Sequence, residues 1–127
     1  MKRYDDILAA MPLGLDRAIL RVLSMHIGRD QAIGREGLVL AAASLGFPAH
    51  ERQVREAVKE LRRQGELICS AAGEDGGYYL ASSREEFEEF AQSEFGAKIA
   101  DMSQTLGAMR QAADRAFGQG MQLGLFG

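Results

Sequence analysis

Residues 46–80 read GFPAHERQVREAVKELRRQGELICSAAGEDGGYYL, and this stretch decides the fold. Its opening, Gly46-Phe47-Pro48-Ala49, predicts a tight turn, because glycine relaxes the backbone where proline fixes it. A helix from about Glu51 to Gln64 follows, in which Val54, Ala57, Val58 and Leu61 recur at three- and four-residue steps and Gly65 provides the stop. Beyond it, Leu67-Ile68-Cys69-Ser70 and Gly77-Tyr78-Tyr79-Leu80 are short β-prone runs. The Ala-, Gly- and acid-rich residues between them predict a hairpin with a loose loop.

Upstream, Ile7, Leu8 and Met11 share one face of a short leading helix that Pro12 and Gly14 close. Leu15, Ala18, Ile19, Val22, Leu23 and Ile27 then predict the first helix of the domain, with Asp16 as its N-cap and Gly28 as its stop. Asp30-Gln31-Ala32-Ile33 suits a minimal strand, and Arg35 to Leu45, ended by Gly46, reads as an Ala-rich second helix. The second and third helices with their glycine-containing turn form a helix-turn-helix candidate. The expected class is therefore mainly α (α+β): a winged helix-turn-helix with a β-hairpin wing.

Downstream, Ser83 stands three residues before Glu86, the spacing of a capping box that starts a long final helix. Within it Phe95, Ile99, Met102, Leu106, Met109, Ala113 and Ala116 follow a heptad seam. A homodimer through residues 95–116 or packing back onto the domain would satisfy this seam. The helix's length favours the homodimer, while Gly96 and Gly107 argue against a strong coiled coil. Gly118-Gln119-Gly120 reads as a flexible linker. The expected organisation is a winged-helix domain over 1–82, a long helix over 83–117 and a flexible tail over 118–127.

Composition narrows the chemistry. With 127 residues, 46% apolar and 26% charged, the chain can bury one core without metal or disulfide. A net charge of -3 gives no global attraction to nucleic acid, so any such activity needs a local basic face. The lone cysteine, Cys69, excludes an intramolecular disulfide and a cysteine-based zinc site, and suits a reducing compartment. Met1-Lys2-Arg3 runs straight into Tyr4-Asp5-Asp6 rather than into a signal-peptide core, and no apolar run approaches the roughly 20 residues of a membrane span. A soluble, cytoplasmic protein is expected.

No residue pattern points to catalysis, a metal or a cofactor. His26 reads as a packed histidine and His50 as a cap on the third helix, with no partners at ligand spacing. Ser70 and Cys69 lack a base at readable spacing. Glu74 and Asp75 would repel phosphate from the glycine-rich 73–77 loop. Glu85, Glu86, Glu88 and Glu89 sit where a helix N-terminus favours carboxylates.

The third helix carries the clearest binding chemistry. Arg52, Arg55, Lys59 and Arg62 form a stripe away from its apolar face, suited to guanine edges and phosphates in a major groove. Gln53, near the helix start, could pair with adenine, and Arg35 could add a phosphate contact. The same helix carries Glu51, Glu56 and Glu60, which also fits a solvated face with i,i+4 charge pairs. Its place between a tight turn and a hairpin favours the first alternative.

The segment 46–80 resembles a winged-helix family familiar from phage and bacterial DNA-binding proteins. The matching residues are Arg52, Val54-Arg55, Ala57-Val58, Glu60-Leu61-Arg62, Gly65, Ile68-Cys69-Ser70 and Gly76-Gly77-Tyr78-Tyr79-Leu80-Ala81. The resemblance implies a recognition-helix role for Arg52, Gln53, Arg55 and Lys59. One departure is the wing loop, which carries Glu74 and Asp75 and no cation for DNA phosphates.

Finally, Gln122-Leu123-Gly124-Leu125-Phe126 resembles the Gln-Leu-x-Leu-Phe peptide by which bacterial replication and repair proteins dock on the DNA polymerase sliding clamp. Leu123, Leu125 and Phe126 would fill an apolar cleft and the Gln122 amide would fix register. The alternative is a tail folded onto its own core. The combined expectation is a non-enzymatic adaptor binding duplex DNA and the sliding clamp in replication or repair. Its rivals are a phage- or plasmid-type transcriptional regulator and a winged-helix protein-interaction module without DNA affinity.

Overall fold

The computed structural model describes residues 2–72 and 76–118. In order, the elements are α1 (Lys2–Ala10), α2 (Leu15–Leu23), a 3₁₀ turn (Arg29–Gln31), β1 (Ile33–Gly34), α3 (Arg35–Ser44), α4 (Glu51–Arg63), β2 (Ile68–Ser70), β3 (Gly77–Leu80) and α5 (Arg84–Ala91). A π-helical turn (Gln92–Gly96) and α6 (Ala97–Phe117) complete them. The chain is mainly helical, with one small antiparallel sheet ordered β1-β3-β2. It divides into two compact units, Met1–Phe90 and Ala91–Gly127.

The first unit's core collects the apolar stripe of each helix. Ile19, Leu20 and Leu23 of α2, Leu38 of α3 and Val54, Val58 and Leu61 of α4 pack with Ile68 and Leu80 of the sheet. Fully burying each such aliphatic contributes roughly 1.5–3 kcal/mol relative to exposure. Alternation along the strands then divides the sheet's side chains. Ile68, Tyr78 and Leu80 belong to the main core, while Cys69 and Tyr79 form a second cluster with Phe90 of α5. This two-sided cover explains why every residue of β3 is buried.

Register is Ile33↔Tyr78 and Gly34↔Gly77 on one side of β3, and Ile68↔Leu80, Cys69↔Tyr79 and Ser70↔Tyr78 on the other. α3 and α4 stop as expected at Gly46 and Gly65, whose φ values of 93° and 94° lie in the left-handed region. Each stop has the paired hydrogen bonds of a Schellman motif. The Gly46 and Phe47 N–H groups donate to Ala43 and Ala42, and those of Gly65 and Glu66 donate to Arg62 and Leu61.

Several local expectations need correction. α2 ends at Leu23 rather than running through Ile27, because the following segment docks beside β3. There the Leu80 N–H donates to the His26 carbonyl at 2.9 Å and the Gly28 N–H donates to Leu80 at 2.8 Å. Asp16 lies in the first turn of α2 and is not its N-cap, a position that Gly14 holds. Of the expected strand at 30–33, Asp30 and Gln31 belong to the 3₁₀ turn, Ala32 caps it, and pairing begins at Ile33. The long helix expected from residue 83 starts at Arg84 and takes in a π-helical turn at Gln92–Gly96, with the backbone staying helical at Ala91, Gly96 and Ala97, while Phe90 of α5 is buried within the first unit.

Candidate nucleic-acid interface

α4 is held by one face and open on the other. Val54, Ala57, Val58 and Leu61 are buried, whereas Arg52, Gln53, Arg55 and Lys59 are exposed. Among the described residues, no ion pair holds Arg52, Arg55 or Lys59. Arg63, exposed and one helical turn beyond Lys59, extends the same row. The sequence signal for it is its i+4 spacing from Lys59. Its guanidinium lies 3.8 Å from the Glu60 carboxylate.

Arg62, expected in this stripe, is engaged elsewhere. Its Nε donates to the Ile68 carbonyl at 2.8 Å, a terminal nitrogen lies 3.4 Å from Ser70 Oγ, and the guanidinium carbon stands 5.1 Å from the Phe90 ring centroid. The half-buried side chain therefore ties α4 to β2 and α5. On the helix Arg62 borders the apolar face, which brings it to the sheet rather than to solvent.

Gln53 also has work inside the fold. Its Oε1 accepts the N–H of His50, the N-cap residue, at 2.8 Å, in the manner of a capping box. Bidentate pairing with adenine would need that same oxygen. Arg35, the first residue of α3, lies 3.6 Å from Glu51 at the start of α4. Both partners are about half exposed, so water weakens the pair and a phosphate could compete for the guanidinium.

An acidic edge borders the basic row. Leu15, Asp16, Arg52, Gln53, Glu56, Ala57 and Glu60 line a shallow groove of about 420 Å³ between α2 and α4. Partial burial and the neighbouring Glu60 charge push the Asp16 carboxyl above the usual range. Polyanions approaching α4 thus meet cations on its outer face and carboxylates on its α2 side.

The remaining reactive side chains are occupied structurally. Burial, reinforced by the Glu86 charge, pushes the Cys69 thiol up to about 11. His26 Nδ1 lies 2.7 Å from the Gln31 carbonyl, and His50 caps α4. Among the described residues, no group of three or more His, Cys, Asp or Glu side chains could hold a metal ion, and no helix is long and apolar enough to cross a membrane. Gln122, Leu123, Leu125 and Phe126, the clamp-like peptide, and Glu74 and Asp75, expected in a wing loop, lie outside the described residues. Comparison of the chain with protein-family models, curated proteins and solved structures gives no match.

Proposed function

We propose that this protein is a DNA-binding adaptor in which α4 is the recognition helix of a winged-helix domain and Gln122–Phe126 docks on the replication sliding clamp. The observation that carries the DNA half is the row Arg52, Arg55 and Lys59: exposed, without an ion pair among the described residues and opposite the buried face of α4. The chain order α2, β1, α3, α4, β2, β3 supports the winged-helix reading. With Gln53 holding the cap, base reading falls to Arg52 and Arg55, and Lys59 and Arg63 serve phosphates. The clamp half rests on the match of Gln122, Leu123, Leu125 and Phe126 to the docking pattern. A weak peptide gains from tethering when DNA and clamp are held together.

Duplex binding measured by fluorescence anisotropy across a salt series tests the first half. Two phosphate contacts, from Lys59 and Arg63, give log K a slope of about -1.8 against log salt. The Arg52→Ala/Arg55→Ala/Lys59→Ala variant should abolish binding while unfolding like the parent. Undiminished binding by that variant would remove α4 from the interface. For the second half, a clamp pull-down should retain the wild type and lose Leu125→Ala/Phe126→Ala; equal retention would sink it.

A further inference from the structure

The apolar seam of α6 is the largest feature that DNA and clamp binding leave unused. No residue of the 21-residue helix is buried, and Ile99, Met102, Leu106 and Met109 are 62, 70, 46 and 65% exposed. We infer that this face is a self-association surface whose occupant is the same face of a second copy of the chain.

The spacing identifies the occupant. Steps of three and four residues from Ile99 to Met109 make a strict a/d stripe, narrower than the apolar band of a helix that packs on a globular core. The flanks raise no charge barrier to a second copy. Lys98, Thr105 and Ala112 precede the a positions, and Ser103 and Arg110 follow d positions, so an in-register parallel pair sets Lys98 against Ser103 and Thr105 against Arg110. Across α6, Lys98, Arg110 and Arg115 are offset by Asp101 and Asp114. A membrane surface is a poor fit, because interfacial helices carry a cation-rich polar face. The outward positions here hold Ala97, Gln104 and Gln111.

Area sets the expected strength. A helix of this length extends about 32 Å, and two stripes paired along it remove roughly 1,000 Å² from water, near the lower limit of a specific interface. Small residues at the far end of the seam, Ala113 and Ala116, add little. The association is therefore concentration-dependent, with dissociation in roughly the micromolar range.

Sedimentation equilibrium of the full chain should show the mass rising with concentration from 13.8 kDa toward twice that value. Met102→Glu/Leu106→Glu should weaken association at least tenfold, while Gln104→Glu/Gln111→Glu on the outward side leaves it intact. Because glutamates in the seam could also melt α6, thiol cross-linking provides a second measurement. On oxidation, Leu106→Cys should form a covalent dimer by itself if the pair is parallel, or when mixed with Met102→Cys if it is antiparallel. Gln104→Cys should not. A monomer up to about 1 mM, equal cross-linking through Gln104→Cys, or a monomer that instead partitions onto anionic vesicles would overturn the inference.

Discussion

Gly77 stands opposite Gly34 in the β1–β3 ladder, and a methyl group placed on it would be driven into the Ile33 carbonyl. Gly77→Ala should therefore cost about 3 kcal/mol or more, seen as a fall in the urea midpoint, because backbone rather than a flexible side chain must move. Gly34→Ala is the contrasting substitution: a Cβ there meets open space, and the midpoint should barely change. Arg62 makes a second residue-scale test. Replacing it with Ala removes a charged donor from the Ile68 carbonyl and the cation over Phe90, which should destabilise the fold by about 1.5–3 kcal/mol. Duplex affinity of the folded fraction should stay close to wild type. A large loss of affinity at full stability would return Arg62 to the binding row.

Among the elements, α5 depends most visibly on one side chain. Glu86 Oε1 accepts the Ser82 N–H at 2.9 Å and lies 3.1 Å from Ser82 Oγ, Oε2 accepts the Arg29 N–H at 3.1 Å, and the Ser83 hydroxyl accepts the Glu86 N–H. Burial raises this carboxyl's pKa, but the hydrogen bonds from Ser82 and Arg29 outweigh it and hold the group below its ordinary 4.5. The stabilisation is thus present above 4.5 and is lost as pH falls through the lowered value. Glu86→Ala should cost about 1–2 kcal/mol at neutral pH and flatten the acid limb of a stability–pH profile. The Ser83/Glu86 spacing was legible because it is local, as were the Gly46 and Gly65 stops. What the sequence concealed were bonds to distant partners: Arg29 bonding to Glu86, Leu80 ending the reach of α2, and Ile68 drawing Arg62 inward. Gln53 was different. Its capping partner His50 lies only three residues away, but the recognition-helix expectation hid that local role.

For the whole molecule, net charge and the charge of the α4 row have opposite signs, so the proposed duplex binding depends on arrangement. The chain carries -3 overall, yet α4 turns Arg52, Arg55, Lys59 and Arg63 outward together. Glu60 opposes this arrangement twice, by pairing with Arg63 and by reinforcing the acidic groove beside Asp16. Glu60→Gln should tighten duplex binding a few-fold at low salt, with the gain disappearing at high salt as screening takes over. An unchanged or weaker affinity at low salt would show that the groove side does not face the polyanion. The two-sided cover of β3 has another use. Cys69 is the chain's single cysteine, and it lies under Phe90 with its thiol held protonated at neutral pH. A thiol reagent can reach it only when that cover lifts. Its labelling rate in native buffer is therefore an unengineered stopwatch for the opening of α5, and comparing it with global unfolding would show whether the sheet's back layer breathes alone or with the helical core.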